Sequence, residues 1–152
     1  MNAQVWIAIL VGVAAAVDDL ARRQIANWIP AAALAGGVGW QVSQHGWWGW
    51  LHALGGAAAG FGVFLIFYLL GGMGGGDIKL MAGFGALLGA ERLLEAALWT
   101  AGIGGLLALG VLGFRALRRG ADAGAPARAS SDSIPYAPAI ALGVWLSLVP
   151  KG

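Results

Sequence analysis

Long apolar runs follow one another along the whole chain, and most of its charge falls in the breaks between them. The runs cover residues 5–17, 28–42, 51–70, 78–90, 94–114 and 134–149. A stretch of about 20 apolar residues crosses the hydrocarbon of a bilayer as a helix, because a helix satisfies its backbone N–H and C=O groups internally. Composition points the same way. Of the 152 residues, 59% are hydrophobic and 11% charged, against roughly 45–50% and about 25% in an average water-soluble domain. One core in water could not cover that much apolar surface, and a disordered chain would need the opposite composition. The expected fold class is an all-α integral membrane protein with six transmembrane helices. Residues 1–152 form a single membrane-embedded domain, with no room for a separate soluble one. The first run could pass for a signal peptide, but no Lys or Arg precedes it, so it reads as a span.

The breaks fix an expected orientation. Six spans put alternate loops on one side. Those loops hold Arg22, Arg23, Lys79, Arg115, Arg118, Arg119 and Arg128, whereas the other side has Arg92 and Lys151. By the positive-inside rule the first set is cytoplasmic and both termini lie outside. Trp47, Trp48 and Trp50 then form an aromatic belt at the outer face. The stretch 115–133 reads as a flexible cytoplasmic connector. A net charge of +2, spread over loops in this way, reads as topology and not as nucleic-acid binding.

The reactive inventory is short. No cysteine is present, which removes disulfides, thiolate zinc sites and cysteine nucleophiles. The usual serine- and zinc-hydrolase signatures are missing as well. His45 and His52 lie in or beside the Trp-rich loop with no carboxylate nearby, and read as interfacial. No metal site and no cofactor are expected.

Carboxylates remain. Asp122 and Asp132 fall in the connector, and Glu91 and Glu95 flank the outer end of two spans. Asp18, Asp19 and Asp77 instead sit at membrane boundaries on the same expected face. An ionisable group at membrane depth costs about 2.5–3.5 kcal/mol on insertion scales, which suggests function unless it is paired. The plain alternative pairs Asp19 with Arg22 or Arg23, and Asp77 with Lys79. The glycines around Gly74, Gly75 and Gly76 argue otherwise, since residues without Cβ let the backbone run extended or turn at positive φ and admit another backbone beside Asp77. Two carboxylates sharing one proton can hydrolyse a peptide, one acting as base on water while the other protonates the carbonyl or the departing amine.

Gly74-Gly75-Gly76-Asp77-Ile78-Lys79-Leu80 resembles the Gly-x-Gly-Asp signature of membrane aspartyl peptidases, in the form found in type IV prepilin peptidases. The segment from Asp19 through Arg22, Arg23 and Ile25 to Asn27 is similar to that family's first motif, with Ala26 where Pro is usual. Ile134-Pro135-Tyr136-Ala137-Pro138 resembles the stretch that opens its last span. The resemblance implies one prepilin peptidase domain over residues 1–152. It would be a multi-pass aspartic endopeptidase of the bacterial inner membrane, cutting the short basic leader of prepilins or pseudopilins after a glycine at the cytoplasmic face. Asp19 and Asp77 would be its catalytic dyad. Gly74, Gly75, Gly76, Lys79, Asn27, Pro135 and Pro138 would support the motifs, with Lys79 tuning the dyad or anchoring to lipid headgroups. Asp18 lies about 100° round the helix from Asp19 and is set aside. Longer relatives that also N-methylate the pilin carry a cysteine tetrad. None is present here, so peptidase activity alone is expected, as in the short forms serving tight-adherence (Flp) pili. The implied partners are the substrate and the lipid bilayer, with no nucleic acid and with room for a homo-oligomer. Three other readings stay open: a preflagellin-type class III leader peptidase, a small carboxylate-dependent transporter, and a non-catalytic assembly subunit.

Overall fold

The computed structural model describes residues 2–70, 73–121 and 135–150. They form α1 (Ala3–Arg22), α2 (Trp28–His45), a 3₁₀ turn (Gly46–Trp48), α3 (Gly49–Leu69), α4 (Gly75–Ala121) and α5 (Ala137–Ser147). There is no strand among the described residues. Three helical stretches are long and apolar enough to cross a membrane: Ala3–Arg22, Trp28–Leu69 and Gly75–Phe114. The second and third, at 42 and 40 residues, are about twice what one crossing needs, and neither is straight. The 3₁₀ turn interrupts the second, with Gly46 at φ 59°. The third breaks at Gly89, where φ is 75° and ψ 168°, a backbone conformation open mainly to glycine. After that break the chain runs back along α3, where Leu94 and Gly104 line a groove together with Phe64 and Met73.

The segment of α4 before Gly89 is the centre of the bundle. Leu80, Met81, Phe84 and Leu87 are fully buried there, against α2 on one side and α3 on the other. Small residues set the spacing. The buried stripe of α3 is Gly49, Ala53, Gly56, Gly60 and Phe64. A Cβ on Gly56 would collide with the carbonyl oxygen of Gly85, and one on Gly85 with that of Gly56. The two backbones are therefore in direct contact, as helices need when no hydrophobic drive pushes them together. On the far side α1 packs on α5, with the Trp145 ring over Gly12 and its indole N–H donating to the Ala8 carbonyl at 3.0 Å.

The break at Gly89 ends one helical segment and leaves carbonyls without partners in the helix. The Leu87 carbonyl is satisfied by two side-chain amides, from Gln4 of α1 at 2.9 Å and Gln41 of α2 at 3.3 Å. Both glutamines are buried. They are the only polar residues in the buried stripes of α1 and α2 besides Asp19, and this carbonyl explains both.

One expectation needs correction. The connector does not begin at Arg115, since α4 continues to Ala121 through residues such as Ala116, Leu117 and Arg118 that favour helix; the rest of that stretch lies outside the described residues. Among the described residues, Gly74, Gly75 and Gly76 keep a negative or extended φ, the positive values belonging to Gly46 and Gly89. Gly75 and Gly76 already belong to the first turn of α4. The plain alternative, in which Lys79 pairs with Asp77, gives way to another partner for Lys79, described next.

Candidate active site

Asp19 occupies the last turn of α1 and Asp77 the first turn of α4. They are 7% and 6% exposed, a burial that a carboxylate accepts only with partners. Each has a backbone donor. Asp77 is the third residue of its helix, and its Oδ2 accepts the N–H of Gly74 at 3.1 Å. That is the return half of a capping box, in which a side chain in the first turn satisfies the amide just ahead of the helix. Asp19 Oδ2 accepts the N–H of Ala137 at 3.0 Å. Ala137 is the first residue of α5, so the amide is one of the donors a helix leaves unpaired at its start. The two carboxylates come from different helices, α1 and α4.

The three sequence motifs meet at this end of the bundle. Ala137, flanked by Pro135 and Pro138, reaches Asp19 across 118 residues of sequence. Pro138 falls in the opening turn of α5, where its fixed φ and missing N–H cost nothing. Lys79 does not pair with Asp77; its Nζ donates to Asn27 Oδ1 at 3.0 Å, tying the glycine-aspartate motif to the end of the first one. Gly76 matters because Ile25 lies against it, and a Cβ there would approach the Ile25 side chain to 3.1 Å. Gly76 thus serves close packing between two motifs.

Asp18 is engaged elsewhere. Its Oδ2 accepts the Ala26 N–H at 2.8 Å, and its Oδ1 pairs with Arg22 at 3.3 Å, so it closes the turn after α1. This turn also places Arg23 in the left-handed region at φ 55°. The role of the Ala137 amide had no signal in the sequence, since every residue but proline has such a group. His45 and His52 stack at 4.8 Å between ring centres, at the other end of α2 from Asn27. Among the described residues, no three His, Cys, Asp or Glu side chains gather into a possible metal site.

Chemically, the arrangement offers two buried carboxylates with one oxygen of each held by a main-chain amide. The chain matches the type IV leader peptidase family over residues 6–109, a stretch that includes both aspartates. It is 39% identical over 101 residues to a protein of Bacillus subtilis (strain 168) named prepilin leader peptidase/N-methyltransferase, covering 64% of this chain and 36% of that relative. The alignment thus spans about a third of the relative's length. No solved structure matches. With the family match covering more than half of its residues and the three motifs converging on one buried site, this chain belongs to the type IV leader peptidase family.

Proposed function

We propose that this protein is an aspartic endopeptidase that removes the short basic leader of a prepilin or pseudopilin, with Asp19 and Asp77 as its catalytic pair. The observation that carries the reading is that two buried carboxylates, one from each of two motifs that meet at one end of the bundle, are each held by a backbone amide. Two such groups cannot both ionise at little cost, so they share one proton. The ionised member takes a proton from water as the water oxygen bonds to the scissile carbonyl carbon. The protonated member gives its proton to the carbonyl oxygen. When the C–N bond breaks, the departing amine takes up a proton from the pair, leaving a carboxyl on the leader and an amine on the trimmed protein. Of the two activities in the name of the Bacillus relative, leader cleavage is the one that a pair of buried carboxylates performs.

Proton sharing has a test that separates it from metal-dependent hydrolysis. Cleavage of a leader peptide by the purified protein is expected to follow a bell-shaped pH profile, since the pair fails both when doubly ionised and when doubly protonated. EDTA and serine- or cysteine-directed reagents are expected to leave it unchanged. Activity lost on chelation and restored by a divalent metal would make the two aspartates ligands and overturn the mechanism.

In the same reading the chain crosses the bacterial inner membrane six times, with both termini outside and the aspartates at the cytoplasmic face. The breaks at Gly46 and Gly89 support it, as does the clustering of Arg22, Arg23 and Lys79 at the aspartate end. A cysteine introduced in place of Gln24 is expected to be shielded from an impermeant thiol reagent in intact cells, and one in place of Trp47 to be labelled. Both positions are exposed, so the reverse pattern would put the site on the wrong side for a cytoplasmic leader.

A further inference from the structure

A cavity of about 420 Å³ lies at the end of the bundle away from the aspartates, lined by His45, His52, Glu91 and Arg92 together with Leu88 and Gly89. Along the sequence the two histidines have no carboxylate near them. The break at Gly89 changes that, because the chain beyond it brings Glu91 to the wall that His45 and His52 share. His45 ends α2 and His52 falls in the first turn of α3. The 3₁₀ turn between them folds one ring onto the other, with centres 4.8 Å and planes 27° apart. His45 Nδ1 lies 3.3 Å from the carbonyl oxygen of Gln41. A carbonyl only accepts, so in the neutral ring Nδ1 carries the hydrogen and Nε2 keeps its lone pair. A main-chain carbonyl on one ring nitrogen is a common means of orienting the other toward a metal.

We propose that His45 and His52 together bind a divalent first-row transition ion of the Zn²⁺ kind, with Glu91 as the third protein ligand and water completing the shell. Two imidazoles, a carboxylate and a water make a tetrahedral set that suits Zn²⁺. Mg²⁺ and Ca²⁺ take oxygen ligands instead, so the imidazoles select against them. Arg92 gives the carboxylate its importance. A dication held by two neutral rings alone would face a guanidinium across the cavity, and the negative charge of Glu91 offsets that repulsion. The three side chains do not yet converge as they stand. Glu91 is exposed, and rotation of its side chain carries the carboxylate to the pair without moving the backbone. The bound ion ties the end of α2 to the start of α3 across the Trp-rich turn. It stands away from the aspartates by about the length of α2, whose 18 residues rise about 27 Å. Chelation is therefore expected to leave cleavage unchanged, and the ion's site and the peptidase chemistry do not depend on each other.

The test uses the full chain in detergent, freed of metal with EDTA, then titrated with Zn²⁺ by calorimetry and melted with and without it. The wild type is expected to bind one Zn²⁺ per chain. At a hundredfold excess over Kd its Tm is expected to rise by about 5 °C or more, whereas Mg²⁺ at the same concentration leaves it unmoved. His45→Gln, His52→Gln and Glu91→Gln each remove a direct ligand and are expected to weaken binding by about tenfold or more, the least that losing even an outer partner of a ligand costs. All three side chains are exposed, so these replacements spare the core. The Tm shift is a difference within one protein, so a variant that is merely less stable does not mimic its loss. Asp77→Asn is expected to keep both affinity and shift. If the wild type melts alike with and without Zn²⁺, or if His52→Gln binds as tightly as the wild type, the inference fails. A shift that vanishes in Asp77→Asn and survives in His52→Gln would place the ion on the aspartates, overturning this site and the proton-sharing mechanism together.

Discussion

Asp19→Asn and Asp77→Asn are each expected to lower leader cleavage by about 10³-fold or more, while the protein still accumulates in the membrane and unfolds as the wild type does. The structure explains why the two effects separate. Each carboxylate accepts one backbone hydrogen bond, from Ala137 or from Gly74, and the amide oxygen of asparagine accepts the same bond. The turn before α4 and the contact between α1 and α5 are therefore kept. What is lost is the exchangeable proton, and a general acid or base supplies about 10²–10⁴-fold. Removing one member of a pair that works as a unit costs about as much as removing both, so the double variant is expected to be no slower than either single one. Asp18→Asn is the control. Its oxygen still closes the Ala26 turn, only the Arg22 ion pair is lost, and most activity is expected to remain. Cleavage by Asp77→Asn at a rate near that of the wild type would falsify the mechanism.

The second large effect is on stability. Gly56→Leu and Gly85→Leu are each expected to destabilise the bundle by about 3 kcal/mol or more, at or above the upper end of what overpacking usually costs. At these positions the new Cβ meets a backbone carbonyl oxygen on the facing helix, and a carbonyl cannot swing aside as a side chain can. Relief would require α3 and α4 to separate, and theirs is the most extensive helix contact in the fold. Because the segment of α4 before Gly89 also packs on α2, the damage would spread to the aspartate end. Gly55→Ala and Gly62→Ala lie on the same helix with nothing within 4 Å of the added atom. They are expected to be neutral or to stabilise by about 0.4–1 kcal/mol through the unfolded chain. Thermal unfolding in detergent, followed by tryptophan fluorescence, checks both sets. Equal melting of Gly56→Leu and the wild type would show that the two backbones do not touch.

The contrast among these glycines shows where sequence reading stops. Gly55 and Gly56 are adjacent and chemically identical, and only the facing helix makes one replaceable and the other not. The same holds for the break in the long apolar stretch 75–114. Charges at Glu91 and Arg92 mark its neighbourhood, but the reversal falls at Gly89, because the backbone there needs a positive φ. The carbonyl that this break frees explains Gln4, just ahead of the first apolar run, and Gln41, inside the second, two polar residues to which the sequence gives no purpose.

By itself the sequence determined that this chain is a set of apolar helices, since so few charges and such long runs leave no other way to satisfy the backbone. It also singled out Asp19 and Asp77, because carboxylates beside apolar runs are costly and few, and because the residues around them keep the spacing of a known motif. The tertiary structure decided how the three motifs meet: the Ala137 amide on Asp19, Lys79 on Asn27, and Ile25 against Gly76. It also decided that Asp18 closes a turn. Those relations depend on main-chain amides, which are alike at every position, and on contacts between residues as far as 118 apart in the chain. A local pattern cannot encode either one, and only the packing of the helices brings them about.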